Sequence, residues 1–198
     1  MKFLVLFFGI FWSSFGEITR ELAVDLYLDA ISKKGNMEKA LKSEQTFLAL
    51  EETSPSFFNK VRLASLIAIK AKFSTFKKLH FVNKSIDAFT ALETEALNSS
   101  DIIDKYEFHL FRGRTFAQFP SLFSKKTIAR QDIENAINIL ETSNISRENP
   151  EIARLFLSYA IILKDDGETE KSKTFAKKAI SFNELEDEDV ALAIKLSS

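Results

Sequence analysis

The stretch that most constrains this chain runs from Asn149 to Asn183, NPEIARLFLSYAIILKDDGETEKSKTFAKKAISFN. Its local signals predict two short antiparallel helices joined at Gly167. Asn149 is a favourable N-cap, and Pro150 suits the first helical position, where a missing N–H costs nothing and φ is already helical. Ile152, Ala153, Leu155, Phe156, Leu157, Tyr159, Ala160, Ile161, Ile162 and Leu163 make the first helix apolar almost all round, so it must be covered on more than one side. Lys164, Asp165, Asp166 and Gly167 end it, Gly167 being the residue that takes a positive φ without strain. The second helix starts with Glu168 and Glu170 near its positive end and carries Lys177 and Lys178 later on. Phe175, Ala176, Ala179 and Ile180 fall on its apolar stripe, and Ala160, Ser172, Ala176 and Ala179 are small enough for the two helices to approach closely.

With Gly167 as the turn glycine, Phe156, Tyr159, Ala160, Leu163, Ala179 and Ile180 stand where a tetratricopeptide repeat, a unit of about 34 residues, has its packing residues, and the stretch resembles such a unit. Ser172 stands where that family usually has alanine, and Ala176 where it usually has a large residue. A first hairpin is written over Glu21 to Glu52. Placing its Gly35 on Gly167 sets Tyr27 on Tyr159, Ile31 on Leu163 and Ala40 on Ser172. The two glycines are 132 residues apart (167 − 35), close to four periods, which leaves room for two further units. The resemblance implies an all-α fold, a right-handed superhelix of about four stacked helical hairpins over 21–52, 55–96, 100–143 and 150–183, with a capping helix over 187–196. The alternative is an irregular helical bundle.

Between the outer hairpins the helices are plain even where the repeat is blurred. Ser54 and Pro55 open a helix through Val61 to Ala71, a break near Ser74 leads to another through Leu79 to Leu92, and Asn98 to Asp101 form a capping cluster. Ile133, Ala136, Ile137 and Leu140 then repeat at i, i+3, i+4 and i+7, the period of an amphipathic helix. Most of the twenty phenylalanines are expected to pack between such helices.

Residues 1–16, MKFLVLFFGIFWSSFG, have the layout of a secretory signal peptide. Lys2 is the positive start, Phe3 to Trp12 the apolar core, and Ser14 and Gly16 the small residues before a cut. Cleavage after Gly16 would leave residues 17–198 as a single exported domain, periplasmic or extracellular. An uncleaved anchor is the alternative, although the run is well short of the roughly 20 residues that span a bilayer. The chain has no cysteine, which excludes disulfides, thiolate metal sites and a lipid-modified cysteine.

Signals for catalysis are weak. His80 and His109 are the two histidines, and neither stands in HExxH or another His–carboxylate spacing that holds zinc; both are read as helix-surface or boundary residues. No GxSxG elbow, glycine-rich phosphate loop or dinucleotide fingerprint occurs. Asp165, Asp166 and Glu168 are too close together for a 12-residue calcium loop and are read as turn and helix-start residues. No enzyme activity, metal or cofactor is expected.

Charge is informative in its distribution. The net charge of −1 argues against a nucleic-acid footprint. Yet Phe57 to Ile86 contains no acid and carries Lys60, Arg62, Lys70, Lys72, Lys77, Lys78 and Lys84, whereas Glu184, Glu186, Asp187, Glu188 and Asp189 crowd negative charge near the end. These are two solvated faces, or else the basic stretch holds an acidic partner segment, an anionic polymer or a lipid head-group surface. The expected function is an exported, non-enzymatic scaffold that binds a protein or peptide segment in a groove lined by the first helices of its pairs. Tyr27, Arg62, Lys70, Tyr106 and Arg114 are the first-helix candidates for that groove, and Lys72, Lys77 and Lys78 extend the basic region beside it. Two other classes compete: a small-ligand binder or enzyme with a phenylalanine-lined cavity, and a structural subunit of an envelope assembly.

Overall fold

The structure, a computed structural model, describes residues 19–32, 34–143, 145, 149–183 and 185–198. It is all-α: among these residues there are nine α-helices, one short 3-10 turn and no strand. In chain order the helices are α1 (Arg20–Ile31), α2 (Met37–Thr53), α3 (Phe57–Lys72), α4 (Lys78–Asn98), α5 (Ile102–Ala117), α6 (Lys126–Thr142), α7 (Asn149–Asp165), α8 (Thr169–Ser181) and α9 (Asp187–Ser197). The expected leader over 1–16 lies outside the described residues, as does Glu184 of the acidic run. The helices gather into two compact units, one of residues up to Phe81 and one from Val82 onward.

Short polar side chains start the helices where a free backbone N–H needs an acceptor. Thr19 Oγ1 accepts from Leu22 N–H, Asn36 Oδ1 from Lys39 N–H, and Asp101 Oδ1 from Ile103 N–H. The third helix starts two residues later than the sequence suggests: Ser54 closes α2, and Ser56 caps α3 by accepting from Asn59 N–H.

In the first unit α1 packs on α2, α2 on α3 and α1 on α3. Ala23, Tyr27 and Ala30 form the inner stripe of α1 and face Ala40, Phe47 and Leu50 of α2. Tyr27 meets Phe47 edge-on at 6.3 Å. Gly35 is required for room, since a Cβ there would press on the Ala30 and Ser32 carbonyl oxygens.

In the second unit Phe89 of α4 meets Phe108 and Phe116 of α5 edge-on at 6.5 and 5.7 Å. The α7–α8 hairpin follows its local signals closely. Gly167 has φ +83°, its N–H bonds the Lys164 carbonyl, and the next N–H, of Glu168, bonds the Leu163 carbonyl, the paired arrangement that closes a helix C-terminus. Ala160, Ser172, Ala176 and Ala179 are all buried between the helices. Ser172 Oγ donates to the Ala160 carbonyl at 2.7 Å, which satisfies a hydroxyl at a position where alanine would pack. Phe175 fills the space beside small Ala176, with its ring 4.7 Å from Tyr159 and 5.8 Å from Phe156.

Candidate functional site

Four of the eight residues assigned to a binding face, Tyr27, Arg62, Lys70 and Tyr106, are buried among the helices. The Tyr27 hydroxyl shares a hydrogen bond with Ser65 at 2.9 Å. Arg62 lays its guanidinium 3.3 Å from the Phe58 ring centroid, and its Nη1 donates to the Phe58 carbonyl. Lys70 forms an ion pair with Glu44 of α2. Arg114, the fifth groove candidate, is half-buried. The reason is geometric. Long side chains with a polar tip carry much apolar surface, so they complete a core when the tip finds a partner, on a facing helix for Tyr27 and Lys70 and one turn back on the same helix for Arg62.

Lys72, Lys77 and Lys78 are exposed, and none makes an ion pair with any described residue. They surround the five-residue connection from Phe73 to Lys77 between α3 and α4. That connection is ordered by a local bond, the Lys77 N–H donating to Ser74 Oγ at 3.0 Å. Lys72 lies in the last turn of α3, where the helix dipole favours a cation, but Lys77 and Lys78 sit at the positive end of α4, whose first turn holds no acid. Local electrostatics therefore disfavours Lys77 and Lys78. Phe76, at the tip of the turn, is 99% exposed, and Leu79 one turn on is 58% exposed. Among the phenylalanines of the described residues, Phe76 alone is exposed. His80 is also exposed, as expected for a surface residue.

His109 departs from that expectation. It is buried, and its Nδ1 lies 2.8 Å from Asp132 Oδ1 on α6. Arg112, one turn along α5, grips the same carboxylate with Nε on Oδ2 at 2.7 Å and Nη2 on Oδ1 at 2.9 Å, while its Nη1 reaches Glu93 of α4 at 2.7 Å. Asp132 is 1% exposed. Burial opposes the charge on Arg112, but the bonds from Asp132 and Glu93 outweigh it and hold the guanidinium above its ordinary range. Sequence spacing could not find this cluster, because its bonded partners lie 19 to 23 residues apart on three helices. Its donors and acceptors face one another, so its chemistry is that of a clamp between helices.

A third cluster holds the α7–α8 turn. Arg130 of α6 reaches Glu134, Asp166 and Glu168 at 2.9, 2.7 and 2.6 Å, and Lys126 reaches Asp165 at 3.0 Å. Tyr159 donates to Glu134 at 2.7 Å; burial, then this bond, pushes its phenol up to about 12. The acids of the turn are thus held by cations. Among the described residues no group of three metal-ligating side chains converges, and no helix is long and apolar enough to cross a membrane. No protein-family model, curated protein or solved structure matches the chain.

Proposed function

We propose that this chain is a non-enzymatic docking scaffold that uses the α3–α4 corner to hold a negatively charged partner. The observation that carries this reading is the cluster of exposed lysines 72, 77 and 78, unpaired among the described residues and lying in an acid-free stretch. A solvated face normally mixes charges of both signs, whereas unneutralised lysines such as Lys77 and Lys78, at the wrong end of a helix dipole, are stabilised when an anion arrives. Attraction of this kind steers encounter and weakens with salt.

The scaffold is of the tetratricopeptide kind, a right-handed stack of about four hairpins. Packing order supports this. In the first unit α1 touches both α2 and α3, and α2 touches α3; in the second, α5, α6 and α7 repeat that pattern, and so do α7, α8 and α9. The first helices α1, α5 and α7 thus each meet their own partner and the first helix of the next pair, as stacked hairpins require. Export rests on the leader-like residues 1–16, and the docking role on residues more distant along the sequence.

The test is binding of the full chain to a cell-envelope fraction, beside a Lys72→Glu, Lys77→Glu, Lys78→Glu variant. Lys70 is left alone because a glutamate there would face Glu44. Wild-type binding that falls with salt and is lost in the variant supports docking through this corner. Equal retention of both proteins, with equal salt dependence, overturns it.

A further inference from the structure

The same corner carries an apolar feature that a purely electrostatic contact leaves unexplained. Phe76 stands 99% exposed at the tip of the turn and Leu79 58% exposed three residues on, with Lys72, Lys77 and Lys78 exposed around them. An isolated phenylalanine in water gives up the full benefit of burying its ring. Here the ring is held on an ordered turn, by the Lys77 N–H bond to Ser74 Oγ, between two helix ends.

Resting on the docking reading above, we propose that the negatively charged partner is an anionic lipid surface. Phe76 and Leu79 enter the boundary between head groups and acyl chains, while Lys72, Lys77 and Lys78 meet lipid phosphates. Two properties of the patch fit a bilayer better than a folded protein. Its exposed charges are of one sign, matching the uniform charge of an anionic leaflet, where a protein surface carries both signs. Its apolar part is a narrow tip, which a deformable interface accepts at any position and a protein accepts only in a matching pocket. Lysine stems add apolar length beneath their charges, so they can follow the ring to the interface without burying the ammonium groups. Attachment of this kind is peripheral and reversible, since two side chains and three charges lie far below what a spanning helix supplies.

The experiment must separate the corner from the apolar run at residues 3–12, which can itself bind lipid. In the full chain the single tryptophan, Trp12, is replaced by phenylalanine and Phe76→Trp is introduced, so that emission reports the corner alone. Vesicles of phosphatidylglycerol mixed with phosphatidylcholine are compared with phosphatidylcholine alone, and soluble poly-glutamate serves as a lipid-free anion. The expected result is a blue shift and protection from aqueous quencher with the anionic vesicles only. Lys72→Glu, Lys77→Glu, Lys78→Glu should abolish it, each lysine near such a surface being worth about fivefold in binding. With the native tryptophan kept, Phe76→Ser should lower vesicle binding about tenfold or more without moving the thermal midpoint. Poly-glutamate binding lost in the triple variant, with the emission of the introduced indole unmoved by vesicles, overturns the lipid inference and leaves the docking reading standing. Failure to bind either probe overturns both.

Discussion

The α5–α6 and α7–α8 pairs of the second unit are aligned by opposite means. In α7–α8 the backbone sets the geometry: Gly167 takes φ +83°, the chain reverses at once, and small Ala160, Ser172, Ala176 and Ala179 let the helices close. In α5–α6 the connection runs from Gln118 to Lys125, its left-handed turn falls on Ser124 at φ +51°, and side chains carry the alignment. There Asp132 is held by Arg112 and His109 from across the interface. Gly113 is what permits that approach, since a Cβ on it would stand 3.0 Å from Asp132 Cβ and from the Ile133 side chain. A pair aligned by its turn tolerates the loss of any one contact. A pair aligned by a buried charge depends on a single carboxylate.

That difference is most exposed by Asp132→Ala. Removing the acid leaves Arg112 and His109 without the carboxylate they share, and breaking a buried ion pair costs about 3–5 kcal/mol; urea unfolding followed by circular dichroism measures it. Ser172→Ala, which removes one neutral bond from the other pair, should cost about 1 kcal/mol or less. Similar losses from the two would erase the distinction.

Gly113→Ala comes next. Alanine favours the helix, but here it presses on an aspartate fixed by Arg112, and overpacking of this kind costs about 1–3 kcal/mol, with the loss reduced by helix propensity. The two turn substitutions should be smaller, and opposite to each other in sign. Gly167→Ala has open space around it, so its cost is the left-handed backbone alone, about 1 kcal/mol. Ser124→Gly relieves that same strain and should stabilise by less than about 1 kcal/mol. Thermal melts that place either turn variant above Asp132→Ala or Gly113→Ala in effect would show that turns matter more than buried charge in both pairs.

The smallest effect comes from Tyr159→Phe, and what it costs at neutral pH fades in alkali. Burial, then the bond to Glu134, raises the phenol to about 12, above its ordinary value of 10.0. A raised folded pKa means that the native state holds the proton more tightly, so its contribution is complete below pH 10 and is lost as pH rises toward 12. Unfolding midpoints measured across that window should fall more steeply for the wild type than for the phenylalanine variant.

These contrasts also separate what could be read from the chain alone. The α7–α8 hairpin was legible because its turn, its acidic start and its small-residue stripe are local, and local signals lie within a few residues of what they control. The departure at Ser172 needed the structure, since its acceptor is a carbonyl twelve residues away on another helix. His109 read as a surface residue because no carboxylate stands at helical spacing from it; its partner is 23 residues on. Tyr27, Arg62 and Lys70 read as groove candidates because each is a first-helix residue with a polar end. Ser65 and Glu44 could be recognised as the partners of Tyr27 and Lys70 only once the helices had been brought side by side, whereas the Phe58 ring stands one turn before Arg62 on the same helix.

The acid-free run from Phe57 to Ile86 was visible from composition, yet composition could not divide it. Packing turned Arg62 and Lys70 inward and left Lys72, Lys77 and Lys78 in solvent with Phe76 among them. By itself the sequence determined that this chain is helical and where most of its helices turn, because hydrophobic period, caps and glycines act over one or two turns of chain. Only the tertiary structure decided which charges are neutralised and which remain available, because that depends on which side chain from a distant helix arrives within hydrogen-bonding reach.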